Sequence, residues 1–235
     1  MRAAIAAALC VFILADLGCV SPRYVIQPPA QNTDVEQARM AALVAPYPAE
    51  FRISQRIILS INGKEYDFIG YLAAKRDGGY RAMAFGDMGG RVFDFAEQDG
   101  KREILSKPAG MPSGPLLDGV MGDVRHLFMV KPEGSYVASR REGGLSLILK
   151  GRNGVSEFVF ADDGFLASSL EVENGTPVRE AVYSGYRVFR GWEKPLPSRI
   201  VVNNRCYGYQ LRIDLLKIDV TPGDARLLPS PDKDQ

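Results

Sequence analysis

The chain has 235 residues, 46% of them hydrophobic and 24% charged, which is the make-up of one folded domain with a buried core and excludes a disordered or fibrous chain. Twenty-nine Lys and Arg against 28 Asp and Glu leave a formal net charge of +1, so neither a basic surface for nucleic acid nor an acidic solvating tail is indicated. The cysteines are Cys10, Cys19 and Cys206. With Cys10 in a leader and Cys19 acylated, one thiol remains, which rules out a disulfide framework in the monomer and zinc sites built on paired cysteines.

Residues 1–18 read as a lipoprotein signal peptide. Arg2 supplies a positive charge and residues 3–15 are apolar, the length of a signal-peptide core and too short to span a bilayer comfortably. The run closes on Leu17-Gly18-Cys19, which resembles the bacterial lipobox, where the thiol receives diacylglycerol before cleavage. The lipobox prefers Leu three residues before the cysteine, and this chain has Asp16. An ordinary cleaved signal peptide is the alternative. The resemblance implies that Cys19 is the lipidation site, carrying palmitate-like acyl chains. Val20, in place of Asp, after it implies the outer membrane of a Gram-negative bacterium, with the domain facing the periplasm. Arg2 and Asp16 cancel, so removing the leader does not change the net charge. Residues 19–32 contain Pro22, Pro28 and Pro29 and read as lipid anchor and flexible tether.

The folded domain is expected over residues 33–221. Thr33-Asp34-Val35-Glu36 fits a capping box, and a short amphipathic helix should follow to Val44, ending before Pro46. The period then changes to that of strands. Residues 51–61 lead to Asn62-Gly63, a hairpin signal. The next stretch, 64–75, puts Tyr66, Phe68, Gly70, Leu72 and Ala74 on one face. Turns at Asp77-Gly78-Gly79, Gly86 to Gly90 and Asp99-Gly100 separate further strands at 80–85, 91–97 and 102–106. This meander has turns too tight for parallel pairing.

A Pro/Gly break at 107–115 precedes a helix opening on Pro115. Leu117, Met121, Val124 and Phe128 recur at helical spacing, and Gly119 and Gly122 weaken the helix by about 1 kcal/mol each. Strands resume at 136, separated by turns at Glu142-Gly143-Gly144, Asn153-Gly154, Asp163-Gly164 and Asn174-Gly175, and run to Val220. Residues 222–235 read as a loose polar tail. The expected fold is mainly β, in the α+β class. It is a strongly curved antiparallel sheet of about eleven strands forming an incomplete barrel, because so many strands in one open sheet must curl. Helices should cover the concave side.

Two stretches carry a family resemblance. Residues 80–89, Tyr-Arg-Ala-Met-Ala-Phe-Gly-Asp-Met-Gly, resemble the third strand and following loop of the LolA/LolB superfamily, where a Tyr-initiated strand runs into Phe-Gly-Pro-Leu-Gly in the outer-membrane lipoprotein receptors. Residues 195–200, Pro-Leu-Pro-Ser-Arg-Ile, followed by Gln-Leu-Arg-Ile-Asp at 210–214, look like that superfamily's closing hairpin. The resemblance spans residues 33–220 and implies a half-barrel that holds acyl chains in a hydrophobic cavity. It implies an exposed apolar loop residue that touches the membrane, here Met88 beside Gly89. Asp87 stands where the family has Pro, and a carboxylate there disfavours deep insertion.

The cavity candidates are Phe68, Leu72, Leu117, Met121, Val124 and Phe128. The expected partners are the outer membrane through lipidated Cys19, an acylated lipid or lipoprotein cargo, and a periplasmic carrier protein. No nucleic acid partner is expected.

Enzymatic motifs are missing. His126 is the single histidine, and no nucleophile elbow, Walker loop, paired-His helix or dinucleotide fingerprint occurs. No catalysis, cofactor or metal is therefore expected. Trp192 reads as a structural anchor or as part of a cavity mouth. The leading expectation is a lipid-binding lipoprotein taking part in lipoprotein or lipid transfer. The alternative is an envelope structural lipoprotein that docks a protein partner without lipid cargo.

Overall fold

The structure is a computed structural model and describes residues 46–76, 78–86, 88–107, 115–130, 136–141, 144–150 and 154–220. The leader, Cys19, the tether, the helix expected before Pro46 and the tail lie outside these residues. So do Asp77, Asp87, Glu142, Gly143 and Asn153 of the expected turns.

Among the described residues there are twelve strands and one helix: β1 (Glu50–Ile61), β2 (Lys64–Lys75), β3 (Gly79–Phe85), β4 (Arg91–Gln98), β5 (Lys101–Ser106), α1 (Pro115–Phe128), β6 (Tyr136–Arg141), β7 (Gly144–Lys150), β8 (Gly154–Phe160), β9 (Leu166–Glu173), β10 (Thr176–Arg187), β11 (Leu196–Asn204) and β12 (Tyr209–Asp219). All twelve strands form one antiparallel sheet, close to the count expected. Its order is β5-β4-β3-β2-β1-β12-β11-β10-β9-β8-β7-β6. Two meanders thus meet where β1 pairs with β12. The free edges, β5 and β6, do not pair with each other, so the barrel is open.

Local chemistry accounts for the hairpins. Asn62, Asp99 and Asn174 have positive φ, and each is followed by a glycine of positive φ, Gly63, Gly100 and Gly175. Two successive left-handed residues match the twist of the flanking strands. The Pro-Leu-Pro-Ser-Arg-Ile and Gln-Leu-Arg-Ile-Asp stretches do pair, Arg199 with Asp214 and Ile200 with Ile213.

Alternation sets the faces. On β12, Tyr209, Leu211, Ile213 and Leu215 are buried, whereas Gln210 and Arg212 are exposed. On β2, Phe68, Gly70, Leu72 and Ala74 face the core, and Ile69 and Tyr71 face outward and are exposed. The buried core lines the concave side and includes residues of α1. Because α1 joins the two edge strands in sequence, the chain must carry it from one rim of the open barrel to the other. It crosses the concave side and touches β11. Tyr47 closes the C-terminal end of α1, its ring 5.2 Å from both Phe51 and Phe128.

Candidate functional site

The helix presents two unlike faces to the sheet. Val120, Val124, Leu127 and Phe128 face an apolar cavity walled by β1, β2, β3, β4 and β12. Gly119, Gly122, Asp123 and His126 recur at the three- and four-residue spacing of a second face, which lies against β8 to β12. A side chain at either glycine would push against the floor. A Cβ on Gly119 would sit 2.6 Å from Tyr207 Cδ2 and 2.8 Å from the Tyr209 hydroxyl, and one on Gly122 would sit 2.5 Å from Arg179 Nη2. The helix gives up intrinsic stability at these two positions in exchange for close approach to the floor.

Asp123 is the hub of that approach. Its carboxylate accepts from Arg179 Nε at 2.5 Å, from Asn204 Nδ2 at 3.0 Å and from the Tyr209 hydroxyl at 2.5 Å. Arg179 also donates to Glu171 on β9. Burial raises the Asp123 and Glu171 carboxyls, and the Arg179 charge opposes it in each case. Burial alone would lower Arg179, but the two carboxylates outweigh it and the guanidinium is held above its ordinary value. These groups form a charged network of four strands and the helix, with Asp123 and Arg179 both buried.

One turn further, His126 Nε2 lies 2.8 Å from Ser169 Oγ, which lies 3.0 Å from the Tyr183 hydroxyl. The imidazole stacks on Phe158 with ring centroids 5.9 Å apart. Glu171 Oε2 is 3.9 Å from Nδ1, beyond hydrogen-bond distance. Ser169 is 1% exposed, so a substrate has no path to its hydroxyl in this arrangement.

The apolar cavity has a volume of about 60 Å³. A single water takes roughly 10–15 Å³ by this measure and a methylene is of similar size, so roughly four to six carbons fit. Its wall is apolar except for Gln55 and Asp123. Three of the residues expected at a ligand cavity, Phe68, Val124 and Phe128, are wall residues. Leu72 and Met121 lie in the core and off the wall, both 1% exposed. Leu117 packs half-buried against the core. Ile57, Leu59, Phe93, Phe95, Leu211 and Ile213 complete much of the wall. Their strands were expected from sequence, but their convergence depends on how the sheet curls and has no local signature. Phe68 meets Phe93 edge-on at 5.6 Å and carries Tyr66 stacked at 6.4 Å.

The β3–β4 turn leaves the same end of the sheet. Phe85, its last strand residue, pairs with Ile69 next to Phe68. Two backbone bonds close the turn, Gly86 N–H to the Gly90 carbonyl at 3.0 Å and Gly89 N–H to the Gly86 carbonyl at 2.8 Å. Met88 at its tip is fully exposed, and Gly89 has a φ of 75°. On the outer face beside it, Tyr71 packs edge-on against Phe85 at 5.8 Å. On the other side of α1 lies an open groove of about 590 Å³ that includes Arg102, Asp118, Arg125, Glu173, Cys206 and Tyr207. It carries both signs of charge. Trp192 packs half-buried against the core, and its backbone N–H donates to the Phe189 carbonyl at 3.0 Å.

An open antiparallel sheet, curled around a helix that covers an apolar cavity, defines a half-barrel scaffold. No protein-family model matches the chain, and no curated protein sequence does. Solved structures do. A LolA superfamily protein from Nitrosomonas europaea aligns at 11% identity over 85% of this chain and 99% of its own, with a TM-score of 0.61. A DUF1329 family protein from Desulfovibrio piger aligns at 11% identity over 82% and 94%, with a TM-score of 0.52. A domain described as an outer membrane lipoprotein-sorting protein, from Vibrio parahaemolyticus, aligns at 8% identity over 82% and 94%, with a TM-score of 0.51. The chain has the LolA/LolB-like fold.

Proposed function

We propose that this protein is an outer-membrane lipoprotein that binds acyl chains in the cavity beneath α1 and takes part in lipoprotein or lipid transfer to the outer membrane. The observation that carries the reading is the almost wholly apolar cavity between α1 and the curved sheet. Burying acyl surface there contributes about 25 cal/mol per Å², and transfer needs only that cavity and membrane affinities be close enough to exchange. No covalent step, cofactor or enzymatic activity is part of this reading. In its closed form the cavity takes a few carbons, so a full acyl chain enters when α1 withdraws from β1 to β4. The helix is then a lid, and the Asp123–Arg179 network holds it shut.

Cys19 would tether the domain to the periplasmic face of the outer membrane of a Gram-negative cell. Met88 at the rim, with Tyr71 and Phe85 behind it, would meet the bilayer interface. The cargo is an acylated lipid or lipoprotein, handed over by a periplasmic carrier. Native mass spectrometry of the purified protein tests the cavity. Bound lipid, or acyl chain retained after addition, is the expected result. A protein that neither carries nor takes up any acyl chain overturns the reading.

The exposed outer-face residues Ile69, Tyr71, Val182 and Leu216 favour a second reading, an envelope lipoprotein that docks a protein partner without lipid cargo. A photocrosslinker at Met88 separates the two, by labelling lipid in the first case and one protein partner in the second.

A further inference from the structure

The base of the β3–β4 turn carries a charge arrangement that the cavity does not use. On β3, Tyr80 and Ala84 are buried in the core, and alternation turns Arg81 and Phe85 outward. Arg81 holds the Asp94 carboxylate with two donors, Nε to Oδ1 at 2.9 Å and Nη2 to Oδ2 at 2.8 Å. Arg91, the first residue of β4 after the turn, donates from Nη1 to the same Oδ2 at 2.8 Å. Asp94 is 0% exposed, whereas the Arg91 side chain is 47% exposed.

One carboxylate between two guanidiniums leaves one positive charge over. Among the described residues Arg91 bonds through Nη1 alone, so guanidinium donors remain for a second acceptor. Held by a buried group, the planar fork loses little further freedom when an oxyanion meets it. Asp67 is paired with Arg56, and Glu103 lies in register with Ala96 and Arg81, farther from the turn. Asp87, in the turn and outside the described residues, adds one negative charge, which disfavours deep insertion and leaves a shallow contact. The surface beside Arg91 is apolar. Ile69, Tyr71 and Met88 are exposed, and Tyr71 packs on Phe85, which pairs with Arg91 across the hairpin. Met88 and Arg91 are three residues apart, a reach of at most about 10 Å. Interfacial elements bury their apolar face by roughly 5–10 Å, so a Met88 at the acyl boundary puts Arg91 at the level of the phosphates.

We infer that Arg91, positioned by Asp94 and Arg81, takes the phosphate of an anionic phospholipid where the Met88 turn meets the bilayer. A zwitterionic lipid matches its phosphate with its own ammonium, so the turn selects anionic lipid. The inference rests on the membrane contact in the reading above and names the lipid it meets. Photocrosslinking tests it, with an apolar diazirine side chain at Met88 of the purified protein. The vesicles are phosphatidylethanolamine with a minor share of phosphatidylglycerol, and because both lipids are in one vesicle, any tether acts equally on them. Phosphatidylglycerol is labelled roughly fivefold above its share. Arg91→Gln brings labelling down to that share, while Arg81 still holds Asp94 and the fold is kept. Lys194→Gln, in the β10–β11 turn at the opposite end of the sheet, leaves the excess unchanged. Labelling in proportion to share in the native protein overturns the selection and leaves the membrane contact standing. So does an excess that survives Arg91→Gln or is lost equally in Lys194→Gln. Labelling of no lipid removes the membrane contact as well and leaves this face to a protein partner. Acyl binding in the cavity is read separately by native mass spectrometry and stands or falls on its own.

Discussion

Burial, reinforced by the nearby Arg179 charge, lowers the His126 imidazole to about 3. Its neighbours leave little to stabilise a cation. Phe158 stacks on the ring, Ser169 and through it Tyr183 take Nε2, Arg179 repels, and Glu171 stands at 3.9 Å and is itself paired. The imidazole is therefore neutral in the folded protein throughout the ordinary pH range. Since its folded value lies below the roughly 6.5 of an unfolded histidine, its contribution is complete above that value and is lost as pH falls toward 3. The loss is about 2 kcal/mol between pH 6.5 and pH 5. Asp123 and Glu171, raised by burial, act in the opposite sense, so the comparison must be between proteins at each pH. Urea unfolding of the native protein and of His126→Gln should show the native protein losing about 2 kcal/mol relative to the variant over that interval. A difference that does not change with pH contradicts a buried neutral His126.

Sequence made this histidine visible but not its burial, because Ser169 and Tyr183 lie 43 and 57 residues away along the chain. The two helix glycines are a similar case. Alone they look like weaknesses, and only the Tyr207, Tyr209 and Arg179 side chains beneath them show what a Cβ would displace.

At the scale of elements, the strands and hairpins were largely legible. Asn-Gly and Asp-Gly turns specify their own backbone, and alternation on β2 and β12 identifies the core face. The helix was legible too, from Pro115 and its apolar spacing. Its second, polar face was not, since charged partners on distant strands leave no periodic trace. That face is what fastens the helix. Asp123→Ala removes the hub and leaves Arg179 with Glu171 alone, at a cost of about 3 kcal/mol for an interrupted buried pair. If the network is the latch, hydrogen exchange should quicken in α1 while the β1–β12 pair stays protected. Loss of protection spread evenly over the sheet would instead make Asp123 a general core residue.

At the scale of the molecule, the sheet order explains why a cavity exists. With β5 and β6 at opposite edges and β1 paired to β12 in the middle, the barrel cannot close on itself. Among the described residues one helix, α1, lies in its mouth and leaves a cavity beneath it. The half-barrel and its antiparallel meander could be expected from strand number and turn chemistry. The Gln55 amide and the division of the concave side into an apolar cavity and a charged groove could not, because both depend on how the sheet curls around α1. A lid over an acyl-chain site must move when a chain longer than the closed cavity enters. Hydrogen exchange of the purified protein, followed while fatty acids of increasing length are added, tests it most directly. Chains of up to roughly six carbons leave α1 as protected as before and longer chains bind with faster exchange in α1, which is the expected result. No binding at any length, or binding of long chains with α1 as protected as before, would contradict it.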